Sequence, residues 1–313
     1  MTSATTDGLR RPPRLRAGDR VVVLAPSGPI LPERLDRGLD VLRGWDLDPV
    51  PAPHVGDVHP VLGHLAGSDA DRARDFQDAW CDPSVKAVFA ARGGYGAQRM
   101  VDLLDWDAIR AADPKPLIGF SDVTVLHEAF AVRAGVSTLH GPAVAGEVFL
   151  KDDATREQLR RMLFAPETVR TLVSPSSRPL VPGRARGITA GGCLAMLASE
   201  LGTPRARPGA AGALLLLEDV GEPPYRIDRA LTQLLRAGWL DGVAGILLGS
   251  WAQCGPYERV REVLVDRLGG LGVPVAEEFG FGHGASALTV PLGVAAELDA
   301  TAGTLRCAVP ALT

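Results

Sequence analysis

Short apolar runs that each hand over to an amphipathic segment constrain the fold of this chain more than any other feature. Val21 to Ala25 is rich in β-branched residues and stops at Pro26-Ser27-Gly28-Pro29, which reads as a buried strand entering a turn. Pro32 to Arg43 then puts Leu35, Leu39 and Leu42 on one helical face. The pattern continues with a helix over Ala70 to Trp80, a strand over Ala87 to Ala90 and a short helix over Gln98 to Leu104. A strand over Pro116 to Ile118, a helix over Val123 to Val132 and a short strand near Ser137 follow. Such alternation predicts an α/β fold whose parallel sheet is covered on both faces.

Composition changes between Val144 and Gly187. A charged helix over Asp153 to Met162 precedes the stretch Val173 to Pro182, whose prolines and serines cannot continue a helix. At 313 residues the chain is long for one domain. We therefore expect a first domain at 1–150, a connecting region at 151–186 and a second domain at 187–313. The second half predicts a helix after Gly191-Gly192, a strong strand over Leu214 to Leu217 and a helix over Ile227 to Ala237. Strand Gly245 to Leu248 and helix Tyr257 to Leu268 come next, then short strands around Leu288 to Val290, Val294 to Leu298 and Thr304 to Ala308. This half reads as a smaller mixed α/β domain.

The net charge of −4 argues against a general nucleic-acid partner. Cys81, Cys193, Cys254 and Cys307 are widely spaced with no Cys-x-x-Cys, the pattern of reduced thiols in a cytoplasm. Met1 to Asp7 contains no apolar run, and Ala210 to Leu217 is too short to cross a membrane. The expectation is a cytoplasmic protein without a membrane or nucleic-acid partner.

Gly119-Phe120-Ser121-Asp122 joins the strand ending at Ile118 to the helix beginning at Val123. A serine there stands at a sheet edge and a helix N-terminus, where backbone N–H groups can face a developing oxyanion. Read from its own residues the serine is first a helix cap, and Val123 replaces the second glycine of the hydrolase elbow. Arg92-Gly93-Gly94-Tyr95-Gly96 is either an anion-approach loop or a tight turn. Glu218 ends the most apolar strand and can orient an imidazole, with Asp219 and Glu222 as rivals. His283, between Gly282 and Gly284, is the best general-base candidate. His54, His59 and His64 read as a solvated loop, since no carboxylate–histidine helix pair accompanies them; His127 and His140 read as structural. Arg92, Arg226 and Arg229 are each able to pair with a substrate carboxylate or to remain surface charges.

Taken together, seven pieces in order resemble the LD-carboxypeptidase family of serine peptidases, which includes the microcin C immunity peptidases. They are Ala25-Pro-Ser-Gly28, Ala91-Arg-Gly-Gly-Tyr-Gly96, Gly119-Phe-Ser-Asp-Val-Thr124, His140-Gly-Pro142, Gly191-Gly-Cys-Leu194, Leu217-Glu-Asp219 with Tyr225-Arg-Ile-Asp-Arg229, and Gly282-His283. The resemblance implies Ser121 as nucleophile, His283 as general base and Glu218 as its orienting carboxylate. It implies oxyanion donors at the N–H groups of Gly94 and Asp122, a flavodoxin-like N-terminal domain, a homodimer, and neither cofactor nor metal. The implied reaction is release of a terminal D-amino acid from an L-centre, as in trimming murein tetrapeptide during cell-wall recycling. Immunity-type cleavage of aminoacyl- or peptidyl-nucleotide amides is the alternative, with Trp251 as the available ring for a base. A non-catalytic protein that binds a small anion at Gly93 to Gly96 is a third reading. Cys193 stands where asparagine is expected in many relatives.

Overall fold

A computed structural model describes residues 8–203 and 206–313. The stretch Met1 to Asp7, expected to hold no apolar run, lies outside the described residues. The first half contains β1 (Arg20–Leu24), α1 (Pro32–Arg43), β2 (Asp48–Pro51), α2 (Asp69–Cys81) and β3 (Val85–Ala90). It continues with α3 (Ala97–Met100), α4 (Trp106–Ala111), β4 (Leu117–Gly119), α5 (Thr124–Ala129) and β5 (Thr138–His140). The helix starts follow local chemistry: Pro32 opens α1, where a missing N–H costs nothing, and Ser68 caps α2 by accepting from the Asp71 N–H. Strands β2-β1-β3-β4-β5 are all parallel in that order, which is the flavodoxin-like arrangement.

The remaining elements are α6 (Glu147–Lys151), α7 (Asp153–Phe164), β6 (Thr171–Val173), β7 (Arg178–Val181), β8 (Arg184–Cys193) and α8 (Leu194–Ser199). After them come β9 (Ala213–Val220), α9 (Pro224–Arg236), β10 (Gly245–Ala252), α10 (Tyr257–Leu268), β11 (Val275–Glu277), β12 (Val290–Leu292), β13 (Ala295–Asp299) and β14 (Thr304–Cys307). The second sheet runs β6-β14-β13-β8-β9-β10-β11-β7. Its centre, β8 to β11, is parallel and its flanks are antiparallel. Strands β6 and β7 come from the connecting region and form the two edges of this sheet. In the other direction, β12 leaves the C-terminal half and pairs with β5 of the first sheet. The two halves are therefore tied together by the return of β12.

The run Leu214 to Leu217 shows why a continuous apolar stretch becomes a central strand. Side chains alternate across the pleat, so Leu214 and Leu216 join the core shared with the first sheet. Leu215 and Leu217 face a second core formed with Leu194 of α8, Ile227 and Leu231 of α9, and Leu264 of α10. Both faces are buried, and no polar alternation is tolerated. The C-terminal ends of β4, β9 and β10 thereby come to one side of the molecule, where open α/β sheets hold their ligands. Among the described residues no helix is long and apolar enough to cross a membrane.

Candidate active site

Ser121 lies two residues beyond the end of β4 and adopts φ +64°. A left-handed conformation is costly for a side chain with a Cβ and persists only where the surroundings over-determine it. Two constraints are visible. Below, the Gly119 carbonyl accepts from both the Gly141 N–H and His127 Nε2, each at 2.9 Å. Above, Gly93 approaches so closely that a Cβ there would lie 2.8 Å from Ser121 Cβ and 3.1 Å from its Oγ. The serine hydroxyl caps no helix; the turn Ser121–Val123 and α5 start without a side-chain cap. The cap reading is thus set aside, since strain would be a high cost for a role that an extended residue performs.

The Asp122 side chain is buried and accepts from the Ala97 N–H at 2.8 Å, which docks the start of α3 against the serine turn. Burial pushes its carboxyl pKa up. Among the described residues, the backbone N–H groups of Asp122 and Gly94 have no protein acceptor. The glycine loop is held in place by the Gly28 N–H donating to the Gly93 carbonyl at 3.1 Å. Buried Arg72 reinforces it by donating to the carbonyls of Pro26 at 2.5 Å and Gly96 at 2.8 Å, while pairing with Asp69. Nothing in the sequence around Arg72 signals this role, because both acceptors are backbone atoms distant in the chain.

Glu218, near the end of β9, is fully buried, and its Oε2 lies 2.6 Å from Nδ1 of His283. A carboxylate can only accept, so Nδ1 carries the proton and Nε2 is the basic nitrogen of the neutral ring. His283 reaches this position on a loop anchored from several elements. The Phe279 N–H donates to the Leu248 carbonyl and the Ser250 N–H to the Phe281 carbonyl, both at 2.9 Å. From α7, Thr155 Oγ1 accepts from the Ala287 N–H and Gln158 Oε1 accepts from the Thr289 N–H, both at 2.9 Å. The His283 ring stands 4.6 Å from that of Phe120, the residue before Ser121. Among the described residues Ser121 and His283 share no hydrogen bond, so the structure joins the Glu218–His283 half directly and brings Ser121 alongside it.

The rivals are occupied elsewhere. Asp219 is buried, accepts from the N–H groups of Ala195 and Val220 at 2.9 Å, and contacts Cys193 Sγ at 3.6 Å. Burial pushes its pKa up to about 6. Glu222 pairs with Arg226. The buried Cys193 thiol, pushed well up by burial, therefore lies against Asp219 where an asparagine amide is expected in relatives. His54 binds Asp75 at 2.8 Å, His59 accepts from the N–H groups of Val61 and Leu62, and His64 lies against Tyr95. Trp251 is 7% exposed and packs into the second core, while part of it lines a cavity of about 370 Å3 beside Ser250, Gly284 and Ala285. Two residues escaped the sequence reading as site components: His127 beneath Gly119, and Gln253, whose φ of +59° no local motif announces.

Residues 21–141 match the LD-carboxypeptidase N-terminal domain and residues 186–298 the LD-carboxypeptidase C-terminal domain. The chain is similar to a putative carboxypeptidase of Streptomyces coelicolor, 69% identical and covering 97% of this chain and 98% of that one. It is 35% identical to the murein tetrapeptide carboxypeptidase of Pseudomonas aeruginosa, over 90% of this chain and 93% of that protein. Among solved structures, the muramoyltetrapeptide carboxypeptidase of Oxalobacter formigenes superposes with a TM-score of 0.77 at 28% identity, covering 92% of this chain and 97% of that one. The microcin immunity protein MccF in complex with glutamyl sulfamoyl guanosine shares the fold with a TM-score of 0.87 at 23% identity, over 97% and 99% of the two chains. Both halves of the molecule, and the two strand ends that carry Ser121 and Glu218, thus fall within one continuous likeness: the chain belongs to the LD-carboxypeptidase family.

Proposed function

We propose that this protein is a serine carboxypeptidase that hydrolyses the amide between an L-centre and a terminal D-amino acid, with murein tetrapeptide as substrate and D-alanine as product. The observation that carries the reading is the 2.6 Å contact between Glu218 and His283, set beside a serine held in left-handed conformation at a strand end. Ser121 Oγ attacks the amide carbonyl while His283 Nε2 takes its proton. Glu218 keeps the ring in the required tautomer and stabilises the imidazolium. The N–H groups of Gly94 and Asp122 receive the oxyanion, and each such donor lowers a comparable barrier by about 2.7–4 kcal/mol. His283 then protonates the departing amine, and water releases the acyl group from Ser121.

The murein assignment is favoured over nucleotide amides by sequence likeness. The curated murein relative stands at 35% identity, whereas the microcin C7 self-immunity protein of Escherichia coli stands at 26%. A cytoplasmic homodimer belongs to the same reading, and sedimentation of the purified protein tests its oligomeric part. The activity is tested by incubating the protein with murein tetrapeptide and following D-alanine, with Ser121→Ala in parallel. Release by the wild type alone supports the assignment. Release that survives in the variant overturns the role of Ser121, and a protein that binds tetrapeptide without cleaving it is a binding protein.

A further inference from the structure

His283 and Phe120 line a cavity of about 500 Å3 at the C-terminal ends of β9 and β10. Much of its wall is small and apolar, including Ala143, Ala252, Ala285 and Ala287. Its polar lining, apart from His283, is Glu147, Lys151 and Gln253. Lys151 is the one lysine or arginine among the described lining residues. Its Nζ sits 2.5 Å from Glu147 Oε1, with both side chains largely in solvent. Such an exposed pair one helical turn apart is weak and opens at little cost. Gln253 provides an independent observation. It follows β10 with φ +59°, and its exposed amide has no protein partner among the described residues. Strain of this kind is characteristic of ligand clamps.

Resting on the serine carboxypeptidase reading, we propose that this cavity is the subsite for the departing residue, with Lys151 and Gln253 as donors to its terminal carboxylate. The general acid must adjoin the leaving nitrogen, so the departing residue lies on the His283 side of Ser121. A carboxylate there meets one ammonium and one amide N–H, a charge-assisted pair of donors. The alanine-lined wall suits a methyl-sized side chain. Glu147, which holds Lys151 in the free protein, remains solvated when the carboxylate replaces it. The three arginines considered from the sequence are engaged away from this cavity: Arg92 with the Pro29 carbonyl, Arg226 with Glu222, and Arg229 over the Tyr225 ring.

The test compares murein tetrapeptide as the free acid with the same peptide ending in D-alaninamide, following release of D-alanine or its amide. Covalent labelling of Ser121 by a fluorophosphonate reports an intact nucleophile in every variant. The wild type is expected to favour the free acid, and Lys151→Met to lower kcat/KM on it by roughly ten- to a hundredfold, mainly through KM, so that the preference collapses. Lys151→Arg restores much of the preference, and Gln253→Gly, which relieves strain while removing the amide, weakens it. An unchanged acid-to-amide ratio in Lys151→Met overturns the subsite while leaving the activity standing, as does equal cleavage of both peptides by the wild type. Release from neither peptide by a wild type that is still labelled overturns the substrate assignment and the subsite with it.

Discussion

A Cβ built on Gly282 would stand 2.5 Å from Oε2 of Glu218, the atom that binds the neighbouring His283. The backbone of residue 282 also lies at φ +92°, so the loop reaches its carboxylate only because no side chain intervenes. Gly282→Ala is expected to displace His283 and lower kcat by about a hundredfold, the scale of a roughly 1 Å misplacement. Ser121 labelling should fall in parallel, and the melting temperature should fall as well, because residue 282 is buried against Glu218 at positive φ.

Glu218 is buried with its second oxygen, Oε1, lacking a protein partner. Glu218→Gln keeps the shape but allows the amide to donate toward Nδ1, which favours the wrong tautomer. On the precedent of a serine-protease triad, a fall in kcat of about 10⁴ is expected with KM nearly unchanged. Steady-state D-alanine release checks it; a loss confined to KM would place Glu218 in substrate binding instead.

His127 donates from Nε2 to the Gly119 carbonyl two residues before Ser121. It is buried, and that burial pushes its pKa down to about 4, so it stays neutral at ordinary pH. His127→Leu is expected to release the turn and slow Ser121 labelling about tenfold, the value of one lost hydrogen bond with a buried acceptor. His127→Gln, which retains a donor, should recover most of the rate. Equal impairment of the two variants would reduce His127 to a packing residue.

The same burial gives a pH dependence to stability. Burial holds His127 near 4 and His140 near 3, below the ordinary histidine value of 6.5. The unfolded chain therefore takes up protons first, and their stabilising contribution is complete above about pH 6.5 and is lost as pH falls through 4. Asp219 acts oppositely: raised to about 6 from 3.8, it contributes most below pH 3.8, and that contribution is lost as pH rises through 6. Asp122, also raised by burial, acts with Asp219, while Asp69 and Asp299, lowered by their partners, act with the two histidines, so the melting temperature should fall between pH 7 and pH 4. Asp219→Asn should steepen that fall, because it removes an opposing group; thermal unfolding across the range checks both signs.

Local pattern was sufficient for much of the molecule. The β-branched run at Val21, the leucine face of α1 and the four leucines of β9 carry their conformations in their own spacing. Ser121, Glu218 and His283 were also legible as types of residue in suitable loops. Other elements were not. β8 runs through Gly187, Gly191 and Gly192, which have no strand propensity, and becomes a strand because β9 and β13 pair with it on either side. β6, only three residues long, and β7, which contains Pro179, are too short or interrupted to signal a strand locally and pair with sheet edges that lie beside them. The return of β12 to the first sheet joins residues 150 positions apart, as Val290 with His140 does, and no local pattern encodes such a pairing. The sequence by itself determined where strands and helices alternate and which side chains have the chemistry of a hydrolase. Only the tertiary structure decided that Glu218 rather than Asp219 meets His283, since that depends on which face of β9 looks toward a loop 65 residues away. It also decided that Ser121 is held left-handed, because the contacts that impose this come from Gly93, His127 and Gly141 on three other segments.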